Sequence, residues 1–313
     1  MQANLFTQTS DMKKFLIKVI IFFTFLSVLD YAAGRTFDYL STHAKGGMTK
    51  RDNYICDELE SDILLCGSSR CVHHYNPKII SDSLGLSCYN SGQDGNGIIL
   101  LYGRLQMIKS HYEPKMIIYD ISPGFDLLIG EDNHRYLTWL KPHYSRKGIS
   151  EIFQSVDRTE RYKMLSSMYR YNSHFFELAV DYFHPIINVD DNGFVPIATE
   201  MDKSKIRRKS SSRKDKYQFD SLKLDYLRKY VDEVGNRLVF VVSPIWYGMD
   251  TAQLQPLIDL CKSRKIPLLD YSNNPKYVHN DIYFKDGSHL NARGADEFTK
   301  DLIKDLRKEN ITE

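Results

Sequence analysis

The chain has 313 residues, 42% hydrophobic and 26% charged, an ordinary globular composition with room for one large domain or two small ones. Its net charge of +2 excludes a global electrostatic pull toward nucleic acid. The charge is uneven: residues 203–216 (KSKIRRKSSSRKDK) hold eight Lys/Arg against one Asp, and the overall +2 less this local +7 leaves about −5 elsewhere.

The first element is a membrane signal. Residues 12–34 read MKKFLIKVIIFFTFLSVLDYAAG, and from Val19 to Leu29 only Thr24 and Ser27 are polar. Counted from Phe15 to Ala33, with Lys18 snorkelling, the run is nearly long enough to cross a bilayer. Lys13, Lys14 and Lys18 lie on its N-terminal side, so the rest of the chain is expected outside the cytoplasm. Ala32-Ala33-Gly34 suits a peptidase, but Asp30 and Tyr31 before it fit a cleavage site less well. The expectation is an uncleaved single-pass anchor over 12–34, behind an N-terminal tail at 1–11. MKK at 12–14 is also how such signals begin.

A polar, partly helical connector is expected over 35–60. Short apolar runs then alternate with helical spacing. DILLCG (62–67), LSCYNSG (86–92), MIIYDIS (116–122), RLVFVVSP (237–244) and IPLLDYS (266–272) read as strands. Residues 77–84, 97–111, 254–263 and about 293–306 read as helices. Continuous apolar strands between helices mean a parallel sheet covered on both faces. The fold class is α/β: a three-layer α/β/α sandwich with a mostly parallel five-stranded sheet, formed by residues 61–122 and 220–313. Nearly 100 residues after strand three contain no strong strand, among them the aromatic-rich MLSSMYRYNSHFFELAVDYF (164–183). A structureless loop of that length is improbable, so 123–219 is expected to be an inserted helical cap at the sheet's carboxyl edge, ending in the basic loop 203–216.

Two serines follow strand one directly, at Ser68 and Ser69. The carboxyl edge of a parallel sheet is where open α/β folds bind their ligands. Far downstream, DGSHLNARGA (286–295) places Asp286 and His289 three apart on a Gly-containing turn. A serine nucleophile needs an imidazole base held in one tautomer by a carboxylate, and a D-x-x-H turn brings the latter two together. No G-x-x-x-x-G-K-[ST] occurs and the first βα turn lacks G-x-G-x-x-G, which excludes P-loop and dinucleotide enzymes.

GSS (67–69), NSGQDG (90–95) and DGSHLNARGA (286–295) resemble, in order and separation, the motifs of the SGNH/GDSL hydrolases. They look most like the membrane-anchored branch that acts on cell-envelope polymers, as in alginate acetylation and teichoic-acid D-alanylation. The resemblance covers roughly residues 60–122 and 237–305. It implies a flavodoxin-like SGNH fold, with Ser69 as nucleophile, His289 as general base and Asp286 as its orienter. It further implies an oxyanion hole from the backbone N–H groups of Ser69 and Gly92. The family's usual Asn after strand three is missing, since that place reads YDISPG (119–124), and Asn90 or Asn96 is the available substitute. The implied activity is that of a periplasmic, inner-membrane-anchored esterase or O-acyltransferase. It would act on acyl groups, acetyl above all, of a bacterial surface polysaccharide, beside a membrane-bound acyltransferase, with no cofactor, metal or nucleic acid. The alternative is a non-catalytic glycan-binding or scaffold protein of the same system.

Other residues carry weaker expectations. Arg70, beside the serine, is a candidate for a substrate anion, and Trp246 and Tyr247 for stacking on a sugar. His73 and His74 have no third ligand at a metal-binding spacing. The five cysteines include no C-x-x-C pair, and their odd number leaves at least one thiol free; Cys66 reads as a buried small hydrophobe. Asn310-Ile311-Thr312 is a glycosylation sequon with no other support for such a setting.

Overall fold

The computed structural model describes residues 2–130, 132–172, 174–184, 192–202 and 217–309, with side chains from Asp11 onward. The basic run 203–216 and the sequon at Asn310 lie outside the described residues.

Five parallel strands form one sheet in the order β2-β1-β3-β4-β5. They are β1 (Ile63–Gly67), β2 (Cys88–Asn90), β3 (Met116–Asp120), β4 (Leu238–Val242) and β5 (Leu268–Asp270). Each lies inside an expected run. The three central strands are buried at every position, as strands covered on both faces must be.

Successive side chains of a strand point to opposite faces, and the core divides accordingly. Ile63, Leu65, Ile118, Val239 and Val241 pack with Cys71, Tyr75, Ile80, Phe298 and Leu302. These come from α3 (Ser69–His74) and its C-cap Tyr75, from α4 (Pro77–Leu84) and from α13 (Ala292–Lys308). Leu64, Cys66, Ile117, Tyr119, Phe240 and Val242 pack the other way. That face is covered by α2 (Gly47–Asp57), α5 (Ile98–Ile108), α11 (Ser221–Val234) and α12 (Gln255–Arg264).

Helix α1 runs from Gln2 to Thr42, and its stretch from Asp11 on is long and apolar enough to cross a membrane, with the apolar window wholly uncovered. The helix therefore continues past the expected end of the anchor at residue 34. The connector, too, is more ordered than its polarity suggested: Ile55 and Cys56 of α2 are fully buried in the main core.

The described residues between β3 and β4 are largely helical. They comprise α6 (Pro123–Asp126), a 3-10 stretch (Asn133–His143), α7 (Ile149–Val156), α8 (Glu160–Lys163), α9 (Ser167–Tyr171), α10 (Phe175–Phe183) and then α11. These helices pack on the flank of the body, while residues 195–197 reach the sheet's carboxyl edge, where Val195 bonds to Val72 and His73 and the Ile197 carbonyl oxygen accepts the Ala292 N–H. Leu137, Leu140, Ile149, Ile152 and Phe153 join the same core cluster as α2 and α5, and α9 and α10 lie along α1. The reason is the apolar outer side of α5, buried at nine of its eleven positions, which only further helices can cover.

All five cysteines are free and buried.

Candidate active site

β1 ends at Gly67, whose φ of +151° is a conformation that side chains rarely adopt. A Cβ there would stand 2.8 Å from both the Asp120 carbonyl oxygen and the Cys71 Cβ. The glycine lets the chain turn tightly over β3, so that Ser69 heads α3 half-buried at the carboxyl edge of the sheet.

From the other end of the chain, residues 284–290 close a small turn with a bridge between Phe284 and Leu290. Asp286 Oδ1 accepts the backbone N–H groups of Ser288 (2.8 Å) and His289 (2.9 Å). This is the local chemistry expected of Asp in such a turn. The same carboxylate stands 3.1 and 3.0 Å from His289 Nδ1. His289 Nε2 stands 2.9 Å from Ser69 Oγ. The three side chains thus form one hydrogen-bonded line across 220 residues of sequence. Desolvation alone would raise the Asp286 carboxyl, but the bonds from the His289 ring and the two N–H groups hold it at about 2.

Beneath this line lies a polar network that sequence reasoning missed. His74 is fully buried. Its Nε2 accepts the N–H of Leu290 at 3.0 Å, so its Nδ1 carries the proton and donates to Ser243 Oγ at 2.9 Å. Helix α3, which bears Ser69, is thereby tied to the turn that bears His289. Desolvation, reinforced by the nearby His289, Arg70 and His73, pushes the His74 ring well below its ordinary value, consistent with an accepting Nε2. Asp120 Oδ1 accepts from the Ser243 N–H and the Tyr75 hydroxyl, both at 2.9 Å. The signal for Asp120 and Ser243 was present: each is a polar residue at the end of a wholly buried strand.

Arg70 is corrected by this network. It is 5% exposed and turned into the fold. Its guanidinium donates to Ser122 Oγ at 3.1 Å and to the Ile121 carbonyl oxygen, and its Nε lies 3.6 Å from Asp120 Oδ2. Burial raises the Asp120 carboxyl, and Arg70 opposes that rise. A side chain so engaged is unavailable to a substrate anion.

Asn90 is corrected as an oxyanion donor. It is fully buried, its Nδ2 donates to the Cys71 and Tyr75 carbonyl oxygens, and its Oδ1 accepts the Gly92 N–H at 3.1 Å. That bond also engages the Gly92 N–H expected in the oxyanion hole, so Gly92 as drawn from the sequence is corrected with it. Asn96 Nδ2 is likewise engaged, by the Asp94 carbonyl oxygen at 2.9 Å. Ser69 N–H remains at the first position of α3, where the helix itself supplies no acceptor.

Trp246 and Tyr247, expected to stack on a sugar, lie half-buried beside the turn that carries His289. The Trp246 N–H donates to the Gly287 carbonyl oxygen at 3.2 Å and its indole N–H to Asp281 at 2.8 Å. The Tyr247 ring packs so closely on Gly287 that a side chain at that position would collide with it. His73 was also unforeseen as a neighbour of the site. Its ring meets that of His289 edge to face at 5.8 Å, its Nδ1 bonds to the Val195 carbonyl oxygen at 2.7 Å, and its Nε2 lies 3.5 Å from Asp94.

Among the described residues, the tightest groups of metal-type side chains are elsewhere and already hold protein cations. Asp52 and His143 lie with Cys56, but Arg104 Nη2 is 2.6 Å from Asp52. His134 and Asp157 lie with Glu160, but Lys163 Nζ is 2.7 Å from Glu160.

No family model and no curated protein matches the chain. Solved structures do match it. One, described as "a putative platelet activating factor from Streptococcus pneumonia", aligns over 90% of this chain and 97% of its own length at 17% identity, with a TM-score of 0.32. A likeness of that size assigns neither fold nor chemistry, so both rest on the sheet and on the side chains just described.

Proposed function

We propose that this chain is a membrane-anchored serine esterase or O-acyltransferase, with Ser69 as nucleophile, His289 as general base and Asp286 as the group that orients it. The single observation that supports the reading is the unbroken line Ser69 Oγ–His289 Nε2 (2.9 Å) and His289 Nδ1–Asp286 (3.0 Å). These lie in the range a nucleophile and base need. In the proposed reaction Ser69 Oγ attacks an acyl carbonyl as its proton passes to His289 Nε2. The tetrahedral intermediate collapses, the leaving alkoxide takes that proton, and an acyl-serine remains. Water or a sugar hydroxyl then attacks the acyl-serine, its proton passing through His289 back to Ser69.

The substrate class proposed is an acylated, above all acetylated, cell-surface polysaccharide outside the cytoplasm. This part of the reading is supported by the anchor's lysines and by the resemblance of the three motifs. A membrane-bound acyltransferase is the proposed partner.

A second reading, a non-catalytic glycan-binding or scaffold protein, is favoured by one observation. The Gly92 N–H and the Asn90 amide are satisfied internally, which leaves the oxyanion hole short of donors worth about 3 kcal/mol each.

The test is intact mass of the full chain in lipid nanodiscs after exposure to a fluorophosphonate probe, beside Ser69→Ala and His289→Ala. One adduct on the wild type and none on either variant is expected. No adduct on folded wild type with excess probe would refute catalysis and leave the scaffold reading.

A further inference from the structure

Asp30 is an acid placed directly after the apolar run of α1, and it is bonded to the body of the protein. Its carboxylate accepts the Ser166 hydroxyl at 2.6 Å and the N–H groups of Ser167 and Met168 at 2.7 and 2.9 Å. Four residues on, Gly34 lies so near Ser167 that any side chain there would collide with it. Another four on, Asp38 accepts the Tyr171 hydroxyl at 2.6 Å, and Arg170 Nη1 lies 3.6 Å from the same carboxylate. Residues four apart share a helix face, so Asp30, Gly34 and Asp38 form a stripe laid along α9. Beyond it, Leu40 is buried with Tyr171 and Leu178. Past Asp30, α1 is a docked helix of the globular body and not a free tether.

This fixes a height. A hydrocarbon core of about 30 Å takes about 20 helical residues. Counted from Lys14, whose charge belongs with the headgroups on the N-terminal side, that length ends at Ala33–Gly34. Asp30 then lies within a turn of the outer boundary, and whatever is bonded to Asp30 lies at the same height. The residues beside those bonds are apolar and uncovered: Leu165 is 80% and Met168 50% exposed, with Tyr162 at 59% close by. Cationic side chains flank these residues: Arg161 and Lys163 lie on either side of Tyr162 and Arg170 just after Met168, and Arg170 and Arg35 approach Asp38 on α1. An apolar tip rimmed by cations at headgroup height is how interfacial segments are built.

We infer that the 162–168 segment is seated in the outer interface of the bilayer that α1 crosses, with Leu165 and Met168 among the lipids, so that the protein is held at the membrane by two attachments. This rests on the proposed reading of α1 as a membrane anchor. Other exposed aromatics serve as an internal contrast. Phe176 is 76% exposed. It lies on α10, whose packing against α1 involves Phe37, Leu40 and Tyr39. That is seven or more residues past Asp30, about 10 Å further out at 1.5 Å per residue.

The test uses the full chain in phosphatidylcholine nanodiscs, with bimane on one introduced cysteine at a time: F22C, L165C, M168C and F176C. The five native cysteines are buried, so labelling is directed to the new one. Emission is compared between plain lipids and lipids brominated on the acyl chains. The labels at 165 and 168, inserted about 5–10 Å into the boundary, and the label at 22, near the middle of the span, are expected to fall to about half their intensity or less, while the label at 176 keeps its own. Quenching at 22 without quenching at 165 and 168 would overturn the inference, leave the anchor standing and point to a protein partner for this surface. Loss of quenching at 22 would remove the anchor reading and the inference with it. Quenching at 176 as strong as at 165 would refute the height assignment.

Discussion

Replacing Asp286 by Asn tests the proposed chemistry most sharply, because the geometry dictates where the amide must point. Asp286 Oδ1 accepts two backbone N–H groups, at 2.8 and 2.9 Å. Only the oxygen of an Asn can occupy that place. Its NH2 must then stand where Oδ2 stood, 3.0 Å from His289 Nδ1, and it can only donate; the retained oxygen, 3.1 Å from Nδ1, is already shared by two N–H groups, and an Nδ1–H would face the NH2 hydrogens. Nδ1 becomes an acceptor and the ring proton moves to Nε2, which faces Ser69 Oγ and no longer accepts its proton. The equivalent change in serine proteases lowers the rate about 10⁴-fold, roughly 5.4 kcal/mol at 1.36 kcal/mol per decade. Asp286→Ala removes the orienting group without imposing the wrong tautomer, but it strips both N–H groups of their acceptor at about 1 kcal/mol each. Two rank orders should therefore cross: D286N is the slower of the two with a fluorophosphonate, and D286A is the less stable to urea. The assay is the second-order rate of adduct formation by intact mass, with the urea midpoint measured on the same preparations. A D286N rate within tenfold of wild type would refute the tautomer argument. Because Asp286 stays ionised down to about pH 2, an acid limb in the labelling rate above pH 4 should survive in Asp286→Glu.

Two further predictions concern the network beneath the site. Arg70→Met leaves the Asp120 carboxyl buried without its cation, so a loss of about 3–5 kcal/mol is expected by urea denaturation; a loss below about 1 kcal/mol would reopen a surface role for Arg70. His74 stays neutral in the folded protein but takes up a proton near pH 6.5 once unfolded, so its contribution to stability is present above that pH and falls as the pH drops below it, by up to about 1.4 kcal/mol per pH unit. His74→Gln removes this titration, so the stability gap between wild type and variant should narrow by about 2 kcal/mol between pH 6.5 and pH 5. A gap that stays constant over that range would refute a neutral, accepting His74.

The strands were legible because each is a short apolar run, and such periodicity is local. The D-x-x-H turn was legible for the same reason, since Asp286 bonds within three residues of itself. Serine at the end of β1 was a placement rule of parallel sheets. What local pattern does not carry is the direction of a side chain whose partners are far away in sequence. Arg70 reads as a surface charge beside a nucleophile, yet its partners Asp120, Ile121 and Ser122 arrive with β3, some 50 residues on. Asn90 and Gly92 look like free donors, yet they satisfy each other and the α3 carbonyls once β1 and β2 are paired. The inserted helices carried a helical signal but no address. Their place along α5 and α1 follows from which apolar surface remained uncovered, a property of the assembled body alone. Asp30 likewise looked like an imperfection at the end of an anchor; only the folded chain brings three donors to it from residues 166–168.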